Sequence, residues 1–284
     1  FEAVTNHPGE KILSNLTGSY VRDAYLQGLT LQDQGKPNPF NFGVIGSSDT
    51  HVGGGSYTEE THFSKIGLLD GEPYLRGSVP FDGIYSLIAR LWQPDSILEI
   101  DEKNYLSFSP RLIRFGSSGL AGVWAEENTR ESIYNAFRRK ETFGTSGPRI
   151  KVRFFAGYNF ENSNLNDQDL IQEAYSKNIP MGGDIIQEKG KNPRFLVWAI
   201  SDPLGAPLQR VQIIKGWLAD GEHREKVFDV ACSDGQSVNP LNHRCPDNGA
   251  KVNLDDCSIS REKGNAEIKT FWQDPEFSND QEAF

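Results

Sequence analysis

The 284-residue sequence has little of several things. Its longest apolar stretch, Phe195 to Ile200, is far too short to cross a bilayer, which leaves no membrane span to expect. Basic residues are outnumbered, 29 against 39 acidic, for a net charge of −10, and this argues against nucleic acid as a partner. Neither a phosphate-cradling Walker pattern nor a dinucleotide fingerprint occurs, and Gly53-Gly54-Gly55 matches neither. A Gly-x-Ser-x-Gly elbow is missing too, so a serine hydrolase is not indicated. Internal repeats and low-complexity tracts are lacking. Cysteines number three, Cys232, Cys245 and Cys257, all in one Gly, Asp and Asn-rich stretch. An odd count leaves one thiol unpaired or missing its partner; an exported, periplasmic or secreted, protein is the reading favoured over three reduced cytosolic thiols. Phe1 is followed by no basic-then-apolar leader, so the chain reads as a piece of something longer or a processed product.

What is present divides into two textures. From Gly18 to about Gln32, apolar residues recur at three- and four-residue steps, predicting an amphipathic helix that Pro37 and Pro39 end. Phe42 to Gly46 is short, apolar and continuous, as expected of a strand buried on both faces of a parallel sheet. Residues 52–118 read as a long surface excursion. A second buried strand is expected at Leu120 to Trp124. The helix after it is predicted to be capped by Asn128, with Glu131 completing a capping-box-like pair, and to end before the turn at Gly144 and Gly147-Pro148. After Arg149 the pattern changes to alternation, with strands predicted at 150–154, 194–200, 208–218, 226–231 and 266–272 and one helix at about 167–177. The spacing fits a β-sandwich. The expected organisation is therefore α/β over residues 1–148, with the 52–118 insertion, and a β-sandwich-like domain over 149–284.

The sharpest chemical feature is Gly46-Ser47-Ser48-Asp49-Thr50-His51. In an extended chain alternate residues share a side, so Asp49 and His51 aim a carboxylate and an imidazole at one point. Such a donor pair suits zinc, manganese or iron. Asp beside His is also a common loop hydrogen bond, and both readings stand on the residues alone. Ser47, Ser48 and Thr50 are candidates to orient ligands or substrate, or simply to satisfy backbone groups at a strand end. His62, in the stretch Glu59-Glu60-Thr61-His62, and Arg149, after the Thr145 to Pro148 turn, are candidate substrate contacts, against a solvated loop and a local carboxylate partner respectively. His7, His223 and His243 read as surface residues, and Trp198, Trp217 and Trp272 as strand residues of a core.

Phe42 to His51 (FGVIGSSDTH) and Gly119 to Phe155 (GLAGVWAEENTRESIYNAFRRKETFGTSGPRIKVRFF) resemble the uncharacterised family called domain of unknown function 3604. That family is similar to PHP-type (polymerase and histidinol phosphatase) metallohydrolases and to carbaryl-hydrolase-like metallohydrolases. The resemblance implies a distorted α/β barrel of the PHP kind, with residues 1–148 as its closing part, whose metal ions are held by His-x-His, further His and Glu residues and a late Asp-x-His. Only that last element maps here, onto Asp49 and His51. The earlier ligands would lie before Phe1, in a missing N-terminal half of the same protein, so the divalent metal is expected only in the complete protein and this chain alone is expected to be inactive. The resemblance also implies that related chains continue past Phe284 with an aromatic strand. A cysteine there would partner Cys257, leaving Cys232 with Cys245 as the disulfide. The implied activity is hydrolysis of a small-molecule ester or phosphoester by a metal-activated water. The competing expectation is a non-catalytic ligand-binding or scaffold module of an exported protein.

Overall fold

A computed structural model describes residues 20–47, 80, 83–92, 97–100, 102–106, 119–160, 163–253, 255–256 and 258–284. The chain divides into two compact units, one of residues 1–14, 45–121 and 144–147, the other of residues 15–44, 122–143 and 148–284. In chain order the described elements are α1 (Val21–Asp33), α2 (Ile84–Trp92), β1 (Ile97–Ile100), β2 (Lys103–Leu106), β3 (Ala121–Val123), α3 (Arg130–Arg138), β4 (Thr142–Gly144), β5 (Lys151–Gly157), α4 (Leu170–Lys177), β6 (Ile179–Pro180), β7 (Arg194–Ile200), β8 (Arg210–Ala219), β9 (Glu222–Cys232) and β10 (Glu267–Gln273).

In the first unit α2 precedes an antiparallel hairpin of β1 and β2, paired from Ile97↔Leu106 to Ile100↔Lys103. Arg90 of α2 donates to Asn104 Oδ1 of β2 at 2.8 Å. The 52–118 excursion thus has helix and strand of its own.

The second unit is built on an antiparallel sheet of order β10-β7-β5-β6. β5 and β7 pair over their full lengths, Lys151↔Ile200 to Gly157↔Arg194, and β10 joins the far side of β7, Glu267↔Ile200 to Gln273↔Arg194. Neighbouring residues of a strand face opposite ways, and both directions are apolar here. Phe155 and Leu196 pack with Phe160, Leu170 and Ala174 on the face that α4 covers. Val197, Ala199 and Ile268 pack on the other with Leu208 and Val211, where the β8–β9 hairpin lies. That hairpin turns at Asp220-Gly221, both at positive φ (54° and 76°), the dipeptide that a tight two-residue turn matched to strand twist requires.

This arrangement corrects the expected α/β barrel. The described sheets are small, antiparallel and open, and among the described residues a parallel, closed TIM-like sheet is not formed. Phe42 to Gly46 is not a buried strand: it lies outside any strand, with Phe42, Val44 and Ile45 exposed at 40, 41 and 59 %. Its backbone is held instead by side chains, Tyr25 Oη donating to Phe42 O at 2.9 Å and Thr142 Oγ1 to Val44 O at 2.9 Å. Leu120 to Trp124 contributes only the three residues of β3, in a two-stranded ribbon with β4. The sheet-rich second unit, with a hairpin packed on a sheet, fits the sandwich-like expectation. Its strands lie close to where alternation put them, as does α4, which Asn178 ends. The α3 cap is one residue late: Thr129, in the extended conformation, accepts from Ser132 N at 3.2 Å, so Asn128 does not cap and Glu131 completes no capping box. Among the described residues, no helix is long and apolar enough to cross a membrane.

Candidate functional site

The approach to the Asp-x-His element is a meeting of three glycines in the first unit. A Cβ on Gly46 would stand 2.5 Å from Thr145 O, and one on Gly119 would stand 2.6 Å from Ser47 O. A Cβ on Gly144 would run into the backbone of Gly46. Main chain thus lies directly on main chain, and no other residue fits at these points. Thr145 N donates to Leu120 O at 2.9 Å and its Oγ1 accepts from Leu120 N at 3.0 Å, fastening two of the three segments to each other. Ser47 ends the described part of this segment, exposed to solvent. Asp49 and His51, with Ser48, Thr50 and His62, lie outside the described residues.

Arg149 belongs to the second unit, just before β5. Its backbone N–H donates to Asp202 Oδ2 at 2.8 Å while Leu204 N–H donates to Oδ1 at 3.0 Å. These two hydrogen bonds hold the Asp202 carboxyl below its ordinary range against the opposing effect of burial, and the Arg149 charge adds to them. The Arg149 side chain is exposed. Its main chain therefore anchors the entry to β5, a structural task that the sequence reading did not assign to it.

Three ionisable clusters of the second unit escaped sequence reasoning. In the first, the Asp229 side chain has no exposure and accepts from Cys245 N (2.7 Å), Gln212 Nε2 (2.6 Å) and the guanidinium groups of Arg210 (3.2 Å) and Arg244 (3.4 Å). Burial pushes this carboxyl up, but the hydrogen bonds from Cys245 and Gln212 and the two arginine charges more than offset it and leave it below the usual range. Cys245 forms a disulfide with Cys232, the last residue of β9, so the cluster and the covalent link share one loop. Cys257 lies outside the described residues.

In the second cluster, Arg153 of β5 lies over the Trp124 ring, 3.6 Å from its centroid, and donates to Tyr175 Oη at 2.9 Å. Tyr175 in turn donates to the buried Glu141 carboxylate. Burial, then the hydrogen bond and charge of Glu141, push the Tyr175 hydroxyl up to about 12, so it stays a proton donor at any physiological pH. Trp124 also donates its indole N–H to Val152 O at 2.8 Å, covering part of the outer edge of β5. The third cluster is a buried pair, Lys215 Nζ to Asp274 Oδ2 at 2.6 Å, linking β8 to the end of β10. In each cluster the charged groups satisfy one another. Spacing along the chain gives no sign of them, because each joins residues far apart in sequence. The remaining described histidines take structural contacts: His223 Nε2 lies 2.9 Å from Thr30 Oγ1, and the His243 ring packs on Phe228 at 5.0 Å.

The donor chemistry of Asp49 and His51, one hard carboxylate oxygen and one imidazole nitrogen, fits a divalent transition metal. Among the described residues, no group of three or more His, Cys, Asp or Glu could hold such an ion. The sequence profile of a family described as "Protein of unknown function (DUF3604)" matches residues 1–284. No curated protein and no solved structure matches the chain.

Proposed function

The chain belongs to the family of proteins of unknown function DUF3604, and from that premise we propose that it is part of a metal-dependent hydrolase acting on an ester or phosphoester. The observation that carries the reading is the Asp49-x-His51 pair, delivered by a segment whose backbone is wedged among Gly46, Gly119 and Gly144. In this reading Asp49 and His51 are the late Asp-x-His element of PHP-type metallohydrolases; the barrel of that group is not carried over. They would hold zinc, manganese or iron together with donors from the rest of the complete protein, since a catalytic site of this kind takes three or four protein ligands. When bound, the ion lowers the pKa of a coordinated water and polarises the scissile bond. Ser47, Ser48 and Thr50 orient the two ligands or the substrate through their hydroxyls, and His62 is a further candidate substrate contact of the same unit. The Cys232–Cys245 disulfide favours an oxidising compartment, hence a periplasmic or secreted protein.

The test is metal content of the full-length protein by mass spectrometry, beside Asp49→Ala and His51→Ala. One to two equivalents in the parent, lost in both variants together with hydrolysis of ester and phosphoester substrates, is the expected result. Metal content and activity unchanged in both variants would end the proposal. A second reading, a ligand-binding or scaffold module without catalysis, is favoured by the second unit, where the charged groups of Asp229, Glu141 and Lys215 are taken up by their own neighbours. Full-length protein that binds a ligand yet carries no metal would support that module.

A further inference from the structure

The loop that follows β9 is fastened at Cys245 by two separate means. One is covalent, the disulfide to Cys232, the last residue of β9, over a sequence separation of 13. The other is the Asp229 carboxylate of the same strand, which accepts from Cys245 N–H at 2.7 Å and from the Arg244 guanidinium at 3.4 Å. That carboxylate is itself fixed: it has no exposure, and Gln212 (2.6 Å) and Arg210 (3.2 Å) of β8 donate to it. The Asp229 backbone N–H adds a bond to His243 O at 3.0 Å. Both cysteines are partly exposed, so the covalent link lies at the surface, within reach of a small thiol reagent. Of these fastenings only the disulfide depends on redox state.

We propose that Asp229 is the positioning residue of a redox latch: it keeps Cys245 docked beside Cys232 when the disulfide is reduced, so that the bond opens and re-forms within the folded chain. A dithiol supplies the reducing equivalents. One of its sulfurs attacks the disulfide and the S–S bond breaks; its second sulfur then resolves the mixed disulfide. Two electrons and two protons end on the Cys232 and Cys245 thiols, and the dithiol leaves as its own disulfide. The reverse exchange depends on the effective concentration of the two protein thiols, which a docked loop keeps high and a free loop dilutes. Asp229 acts on it through the backbone of Cys245 and not on sulfur. A hydrogen bond to an ionised carboxylate is stronger than one between neutral groups, and Asp229→Asn removes that advantage and sets an NH2 against one of its two donors. The coupling is reciprocal, so whatever Asp229 adds to the disulfide, the disulfide adds to the Asp229 contact.

The experiment equilibrates the folded chain with mixtures of reduced and oxidised dithiothreitol, traps the thiols by alkylation and counts them by mass. Cys257→Ser is made in every version so that only the latch pair titrates. Asp229→Asn is expected to shift the equilibrium about tenfold toward the dithiol form, a potential about 30 mV less negative. Gly157→Ala, which strains the same unit away from this loop, is expected to leave it unchanged. An unchanged potential in Asp229→Asn, or an equal shift in Gly157→Ala, would overturn the proposal. A second arm needs no variant at Asp229. Amide hydrogen exchange at Cys245 is compared between the oxidised and reduced parent, and it is expected to slow or quicken by no more than about tenfold. A Cys245 amide that exchanges like that of an unstructured peptide once the bond is reduced would mean that Asp229 does not hold the loop, and the latch would be wrong.

Discussion

Replacing Asp229 by Asn tests the account of the second unit most directly, because the change keeps the shape of a fully buried side chain and removes only its charge and half its acceptor capacity. Asn retains one oxygen and presents an NH2 in place of the other. Gln212 donates to Oδ1 and Cys245 N–H to Oδ2, so in either orientation the NH2 faces a donor. One charge-assisted hydrogen bond is lost, worth about 1.5–3 kcal/mol, and one donor is left facing another, at a further cost of about 1–3 kcal/mol. The arginines limit the rest of the penalty: the side chains of Arg210 and Arg244 are 28 and 48 % exposed, so water takes over much of their charge. A loss of about 3 kcal/mol is expected, at the low end of what breaking a buried pair costs. Arg244→Ala removes the longer and more exposed contact and should cost under about 1 kcal/mol. Urea unfolding at neutral pH reads both as shifts in midpoint at unchanged slope. The pH dependence supplies a second arm. The Asp229 carboxyl lies below its unfolded value of about 3.9, so its contribution is complete above about pH 5 and is lost as pH falls through the native value. The gap between parent and Asp229→Asn should therefore narrow below about pH 4. A cost for Asp229→Asn no larger than that of Arg244→Ala, or a gap that widens in acid, would refute the reasoning.

Other expectations follow from the same geometry. Cys232→Ser combined with Cys245→Ser frees a loop of sequence separation 13 and should lower stability by about 3 kcal/mol, measured by chemical denaturation without reductant. Tyr175 has its hydroxyl raised to about 12, so the stability it contributes is present below its unfolded value of about 10 and is lost as pH rises through the native one; Tyr175→Phe should flatten the stability profile between about pH 10 and 12. Gly157→Ala drives a Cβ into the buried Asn178 side chain and should cost about 1–3 kcal/mol in thermal or chemical unfolding. Gly119→Ala presses on the backbone oxygen of Ser47 and should lower metal content in the full-length protein, read by mass spectrometry, if the segment leading to Asp49 is placed as proposed.

What could be read from the sequence divides by the range of the physics involved. Period-two alternation in Ile150, Val152 and Phe154, and apolar density in Phe195 to Ile200, report how many faces of a strand are covered, and both strands lie close to where these signals put them. Apolar density does not report strand direction. Two covered faces do not make a sheet parallel, since α4 on one side and the β8–β9 hairpin on the other cover an antiparallel sheet just as well. The expectation of a buried parallel strand fails at Phe42 to Gly46, where five apolar or glycine residues in a row are held by Tyr25 and Thr142 and join no ladder. The buried carboxylates were invisible for a related reason. Asp229 looks like a polar residue on an amphipathic strand until Arg210, Gln212 and Cys245 are brought to it from 16 to 19 positions away by the hairpin and the disulfide. The proposed pair Asp49 and His51 stands out in the sequence because two residues of spacing is a local matter. A metal centre also needs ligands from other parts of a fold, which local spacing does not encode, so the pair states the chemistry of a site and leaves its completion to long-range structure.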